Sequence, residues 1–507
     1  MSLSLSTQRK WFVLKFGGTS VSSADNWARL TRVIEEHVES GRRVVVVCSA
    51  VSGVTSALDS LLAALGSGQD WKTKLDQVLA RQFALAASLG LDGQLVLQRE
   101  LERFKELIEE ILRSGGPSAK QRAALMSLGE LSSTRIAAAW LKKRGLSAKR
   151  VDARDLLQCE TRASSPEDSQ HYLSTYCDYA PLPGLQQRLS QLGCDVIVTQ
   201  GFIARDRDGD TVLLGRGGSD TSASYLAAIL EASGLEIWTD VPGVFTTNPN
   251  TCQDAHLLKS ISSNEAAVLA SMGAKVLHPR CLQPAQRYGI PIHIGWTKRP
   301  DVEGTVIQAE VENPRTGLKA VSSRSHLYML SMKREARWQP VGFMAEVSRR
   351  FSDHNLSMDL ISSSPGDIRV TVDGAAHPDA DQKLDSLLED LRSICQPELT
   401  PEVASLSFVG TSVSGHLREL HAALEHLTSH EVHFVSHSAD DRHVSYVVPS
   451  AAEDALVRDL HSAVFQDWSD SMVFGPSWHD LQNAASLDGA RPTRITTIQP
   501  TGASQRL

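Results

Sequence analysis

No stretch of this 507-residue chain approaches the ~20 consecutive apolar residues that a membrane-spanning helix requires. The N-terminal "MSLSLSTQRKW" has no uninterrupted apolar core before Lys10, so it does not read as a signal peptide. Cysteine is sparse: Cys48, Cys159, Cys177, Cys194, Cys252, Cys281 and Cys395 are odd in number and form no C-x-x-C pair. This argues against a disulfide framework and a zinc site, and fits a reducing, cytoplasmic setting. A basic surplus is also missing. Against 51 Lys and Arg stand 59 Asp and Glu, a net charge of −8, which argues against a nucleic-acid partner. The one basic cluster, "LKKRGLSAKR" (141–150), reads as a solvent-facing helix C-terminus.

What is present is alternation. Up to about residue 308, short β-branched runs alternate with amphipathic stretches. The runs are "WFVLKF" (11–16), "RVVVVCSA" (43–50), "DVIVTQGF" (195–202), "LEIWTDV" (235–241) and "IPIHIGW" (290–296). Between them lie helical segments such as "NWARLTRVIEEHVESG" (26–41) and "TSASYLAAILEASG" (221–234). The pattern predicts βαβ units and a largely parallel sheet covered on both faces. Residues 72–145 are charged and helix-rich, and predict helices on the sheet edge with a site residue at their end. Farther on, 342–373 and 415–448 each run Gly, amphipathic helix, strand, turn, strand, which predicts two small α+β modules. The polar stretch 480–507 reads as a tail or linker.

Two glycine loops suggest chemistry. In "KFGGTS" (15–20), Gly17 and Gly18 can bring backbone N–H groups to an anion. Thr19 and Ser20 add hydroxyls, and Lys15 reaches the same spot from the strand. Alone, such a turn is as readily structural. The second loop, "LLGRGGSDTSASYLAAIL" (213–230), feeds a helix and carries Arg216, a planar fork suited to carboxylates, and Asp220. "EIWTDVPGVFTTNPN" (236–250) ends a strand at Thr239–Asp240, and "GAKVLHP" (273–279) sets Lys275 at a chain reversal. The histidines His416, His421, His426, His430, His433, His437 and His443 have no acidic or cysteine partner at ligand spacing and read as surface residues.

These motifs, with "SAVSGVTSAL" (49–58), "SLGELSS" (127–133), "VDAR" (151–154) and "TQGF" (199–202), stand in the order found in aspartate kinases. The resemblance is strong over 11–310. It implies an α/β amino-acid-kinase (carbamate-kinase-like) fold, a three-layer sandwich with a mainly parallel sheet, plus two ferredoxin-like ACT domains. The implied boundaries are 1–310 for the catalytic domain, 311–400 and 401–477 for the ACT domains, and 478–507 for the tail. The tail also resembles the kinase half of a bifunctional aspartate kinase–diaminopimelate decarboxylase.

The family implies MgATP-dependent phosphorylation of the L-aspartate β-carboxylate to 4-phospho-L-aspartate, with allosteric control through the ACT domains and a homodimer formed by them. Carried over by motif, Lys15 and Asp220 are catalytic, and Ser49, Thr55, Glu130, Phe202, Arg216 and Ser219 bind aspartate. Gly17, Gly18, Thr19, Ser20, Thr239, Asp240, Phe245 and Lys275 hold the nucleotide, and Met344, Met358, Asp359 and Ser364 face an effector. Three positions depart from the family. Asn250 replaces an arginine and Phe245 a tyrosine, and Pro365 stands where lysine-inhibited relatives carry an acid. These departures motivate one alternative, an amino-acid sensor with an impaired kinase core. A glutamate or acetylglutamate kinase on the same fold is the other.

Overall fold

The computed structural model of the chain describes residues 9–274, 277–309, 317–334, 341–376, 379–465 and 473–484. The first half is built on β1 (Trp11–Phe16), β2 (Arg43–Cys48), β3 (Ala148–Arg150), β4 (Val196–Gln200), a hairpin of β5 (Ile203–Arg205) and β6 (Thr211–Leu213), and β7 (Leu235–Thr239). It continues through β8 (His256–Leu258), β9 (Ser260–Ser262), β10 (Ile292–Trp296) and β11 (Thr305–Gln308). Eight of these strands form one sheet in the order β3-β4-β2-β1-β7-β10-β11-β9. Only the β10–β11 pair is antiparallel. Every residue of β1 and β4 is buried. Because successive side chains point to opposite faces, both faces of the sheet are covered.

The covering helices are α1 (Ala24–Glu39), α2 (Val54–Ser67), α3 (Trp71–Ser88), α4 (Gly93–Ser114), α5 (Ala119–Lys143), α6 (Ser169–Leu173), α7 (Pro183–Ser190), α8 (Gly218–Ile229), α9 (Ser263–Ser271) and α10 (Pro279–Arg287). Helix α1 starts where Ser23 accepts the Asn26 N–H, and it buries Trp27, Leu30, Val33 and Ile34 at helical spacing. Helix α5 opens with a Ser118–Gln121 capping box. At its other end Lys143 donates to the Leu89 and Gly90 carbonyls that finish α3. Here the structure corrects the expected edge position. Helix α5 packs on β2, β3 and β4, and Glu130 lies in its middle. Small residues at Ser127, Gly129, Ser132 and Ser133 let this helix seat closely, which the charged surface of α4 obscures in the sequence.

The second half is a six-stranded antiparallel sheet in the order β13-β14-β12-β15-β17-β16. Its elements are β12 (Gly317–Lys333), α11 (Phe343–Asp353), β13 (Ile361–Ser364), β14 (Asp367–Asp373), α12 (Ala380–Leu391), β15 (Gln396–Thr411), α13 (Leu417–Leu427), β16 (Phe434–His437), β17 (His443–Pro449) and α14 (Glu453–Phe465). The two helix–strand–strand repeats are present, but a cut at 400/401 does not separate them. Strands β12 and β15 each run through both units. Gly317–Arg324 pairs with the end of β15, whereas Leu327–Lys333 pairs with its beginning and with β14. Register shifts and the positive φ of His326 and Glu402 bend the strands between the halves.

The first residues assigned to the tail, from 478, are helical. Strand β18 (Phe474–Ser477) pairs with β8, and α15 (Trp478–Asn483) follows it back onto the first half. Residues 485–507 lie outside the described residues. Among the described residues no helix is long and apolar enough to cross a membrane.

Candidate active site

Strands β1, β2, β4, β7 and β10 run parallel, so their following loops gather at one end of the sheet, the end where α/β folds bind ligands. The loop after β1 contacts the loop after β2 backbone to backbone. A Cβ on Gly18 would lie 2.9 Å from the Ala50 carbonyl oxygen, so only glycine fits this approach without a shift. Ser22 binds the Gly18 carbonyl with its hydroxyl and accepts the Ser52 N–H at 2.9 Å, stitching the loops together.

Lys15, in β1 between Val47 and Ile237, is buried and holds its Nζ 2.5 Å from the Asp220 carboxylate. Asp220 sits in the first turn of α8, whose N-cap Gly217 takes φ 64°. Gly217 presses against the His278 side chain, so a side chain there is excluded twice over. Arg216 is exposed on the same loop, and its charge and that of Asp220 both reach His278. Burial and the neighbouring Arg280 hold the His278 imidazole below its ordinary value. Its Nδ1 accepts the Arg280 N–H and so caps α10. His278 lies in "GAKVLHP" outside the candidate site residues, and only its place before a helix-opening proline signals it.

Glu130 reaches the same end from α5. Its Oε1 accepts the Ala50 N–H at 3.2 Å, directly behind the glycine contact. Burial pushes its carboxyl up to about 8, and no described Lys, Arg or His forms an ion pair with it. Phe202, after β4, adopts φ 70°, unusual for a bulky residue, with its N–H on the Ser222 hydroxyl at 2.9 Å. Ser219 packs against Gly201, where an added Cβ would lie 2.6 Å from the serine Cβ. Ser49 follows β2 with its N–H on the Phe16 carbonyl, and Thr55 is exposed in the first turn of α2. Ser49 and Phe202 follow β2 and β4, and Arg216 and Ser219 lie at the start of α8, which also carries the Asp220 paired with Lys15.

The nucleotide candidates divide. Gly17, Gly18 and exposed Thr19 face the loop end, as do Thr239 and Asp240 after β7. Ser20 turns inward. Its hydroxyl binds the Trp238 carbonyl at 3.0 Å and Thr297 at 2.7 Å, which ties β1 to the ends of β7 and β10. Phe245 is buried in a cluster with Leu257, Trp296 and Leu481, its ring 5.7 Å from that of Trp478. Lys275 lies outside the described residues. Asn250 is exposed, its N–H turned onto its neighbour Asn248. Removing Trp478 would open the cluster over Phe245. We expect Trp478→Ala to lower stability by about 2 kcal/mol in denaturant unfolding.

The effector candidates sit elsewhere, in the second half. Met344 is exposed on α11, Met358 is half-buried, and Ser364 ends β13. Asp359 accepts Arg324 at 2.8 Å, and the same arginine donates to the Ser271 carbonyl of α9 in the catalytic half. Among the described residues no group of three His, Cys, Asp or Glu side chains is placed to hold a metal ion.

Residues 10–295 match the amino acid kinase family. The chain is 32% identical to the lysine-sensitive aspartokinase 3 of Escherichia coli over 90% of its own length and 99% of that protein. It belongs to the amino acid kinase family, among the aspartokinases. The chloroplastic aspartokinase 3 of Arabidopsis thaliana is 27% identical, over 90% of this chain and 81% of the plant protein. The structure of E. coli aspartokinase III in complex with aspartate and ADP (R-state) superposes with a TM-score of 0.78 at 32% identity, covering 90% of this chain and all of that one. For the same enzyme with lysine and aspartate (T-state) the TM-score is 0.71, covering 90% and 99%. The aspartokinase assignment accounts for the two-part architecture, since the matched relative is covered along both halves.

Proposed function

We propose that the chain transfers the γ-phosphoryl group of MgATP to the β-carboxylate of L-aspartate, forming 4-phospho-L-aspartate for the synthesis of lysine, threonine and methionine. The observation that carries this reading is Glu130, a buried carboxyl raised to about 8 at the loop end of the sheet. A carboxylate buried without a cation is costly, and a substrate ammonium removes that cost. Arg216 provides the matching fork for the α-carboxylate. The nucleophile is the β-carboxylate itself, ionised at neutral pH, so no general base is required. Catalysis is positioning and charge stabilisation: Lys15 neutralises the phosphoryl group, and Asp220 holds Lys15 in place.

The backbone donors of Gly18 and Thr19, with Thr239 and Asp240, form the nucleotide side, while the Gly17 N–H is held by the Trp238 carbonyl at 3.1 Å. Mg²⁺ enters this reading with the ATP phosphates, because the described side chains assemble no protein cage for it. The partner is a second copy, paired through the ACT half, where edge strand β13 leaves Ile361 exposed. The test is hydroxamate formation from ATP, Mg²⁺, aspartate and hydroxylamine. Turnover with aspartate supports the reading; product only with glutamate, or none at high substrate, overturns it.

Regulation by lysine is weakened in this reading. Pro365 offers no carboxylate to an effector ammonium, and Asp359 is already held by Arg324. Across a titration of lysine and threonine we expect activity to stay near its starting value, and sharp inhibition by lysine refutes this.

A further inference from the structure

Behind the substrate loops lies a hydroxyl whose bonding capacity is fully used. Thr134, one turn beyond Glu130 in α5, is completely buried. Its Oγ1 donates back to the Glu130 carbonyl at 2.9 Å, shared with Leu131 at 3.1 Å. A threonine bonding four residues back in a helix is ordinary. Its two lone pairs are not used in an ordinary way. One accepts Gln200 Nε2 at 2.7 Å and the other accepts Arg150 Nε at 3.1 Å. A hydroxyl offers one donor and two acceptor sites, so this one is saturated by three different segments.

Each segment leads to the site. Gln200 is fully buried and ends β4, immediately before Gly201 and the strained Phe202. Its Oε1 accepts the Ala153 N–H at 2.7 Å, which fixes the "VDAR" turn. Arg150 arrives from β3 among charges: Arg135, Asp152, Glu100 and Arg154 all act on it. Glu130 itself is held at its head by Ala50 and at its backbone by Thr134. Thr134 is thus the junction between the two walls proposed for aspartate, Glu130 on α5 and Phe202 after β4.

We infer that Thr134 and Gln200 are positioning residues for the amino-acid substrate: they set the separation of Glu130 from the Gly201–Phe202 turn, and so the fit of aspartate but not of nucleotide. This rests on the proposed aspartate kinase reading. The nucleotide candidates on β1 and β7 share no hydrogen bond with this junction among the described residues, so the two substrates should respond differently.

The test is steady-state kinetics of Thr134→Val and Thr134→Ser with both substrates varied. Valine keeps the shape and strands two buried donors. The KM for aspartate should rise roughly 10-fold to 100-fold, with the KM for ATP within about twofold of wild type and serine restoring the wild-type value. Equal rises in both KM values, no change in either, or failure of serine to rescue overturns the inference. If the valine variant does not fold, Gln200→Met decides alone. It keeps the side-chain length and removes the donor to Thr134 together with the acceptor for Ala153, and a KM effect confined to aspartate supports the junction, while any other result refutes it. Wild-type protein that makes no hydroxamate from aspartate brings down the functional reading itself, and with it this inference. A wild type that turns over while both variants behave normally brings down the inference alone.

Discussion

Lys15→Ala yields a folded protein that no longer transfers phosphate. The ammonium is buried on β1, 2.5 Å from Asp220, and no other described cation shares that position. Losing one preorganised charge at a phosphoryl group costs about 10²–10³ in rate. Here the loss is larger, because the alanine variant leaves the Asp220 carboxylate facing the incoming phosphates alone. Turnover should therefore fall by more than ~10³-fold. Asp220→Asn in the same background separates the two contributions. It relieves the repulsion, so nucleotide affinity recovers in part, while kcat stays low because the cation is still missing. Near-normal kcat in Lys15→Ala, with an unchanged melting temperature, would remove Lys15 from the chemistry.

The strands of the catalytic half were legible because a buried parallel strand must be apolar on both faces. "VVVV" in β2 allows no other comfortable placement, and the observed Arg43–Cys48 lies inside the run expected. The glycine loops were legible because close backbone approach restricts residue choice, as Gly18 against Ala50 shows. Ser20 was not legible. Whether a hydroxyl after a glycine turn faces ligand or protein depends on Thr297, which arrives from β10. Phe245 was misleading for the same reason. Its surroundings come from Trp478, at the far end of the chain, in a stretch whose polar composition concealed a helix. Thr134 gave no local sign, and Gln200 stood in "TQGF" without a role. A single polar residue inside a helix or strand becomes informative only when its partners from other segments are known.

Glu130 makes the second large effect a matter of pH. Its carboxyl, raised by burial to about 8 from an ordinary 4.5, is mostly protonated at neutral pH in the free protein. An acid whose folded value is raised stabilises the fold below its unfolded value, and that contribution is lost as pH rises through the folded one. The ligand-free protein should lose stability between pH 4.5 and about 8, on account of this group. Aspartate binding has the opposite slope. Its ammonium needs the carboxylate, so affinity rises with pH up to about 8, and at pH 7 binding releases close to one proton. Calorimetry in buffers of different ionisation enthalpy reads that proton directly. Glu130→Gln keeps the shape and removes the titration. The KM for aspartate should then rise by roughly 100-fold, as for a charge-assisted bond lost in a buried site. The variant's KM should be flat with pH, and its melting temperature should gain on the wild type progressively from pH 4.5 to about 8. A wild-type KM that does not change between pH 6 and about 8, or a glutamine variant that binds aspartate normally, would show that Glu130 is a buried structural acid and that the ammonium is recognised elsewhere.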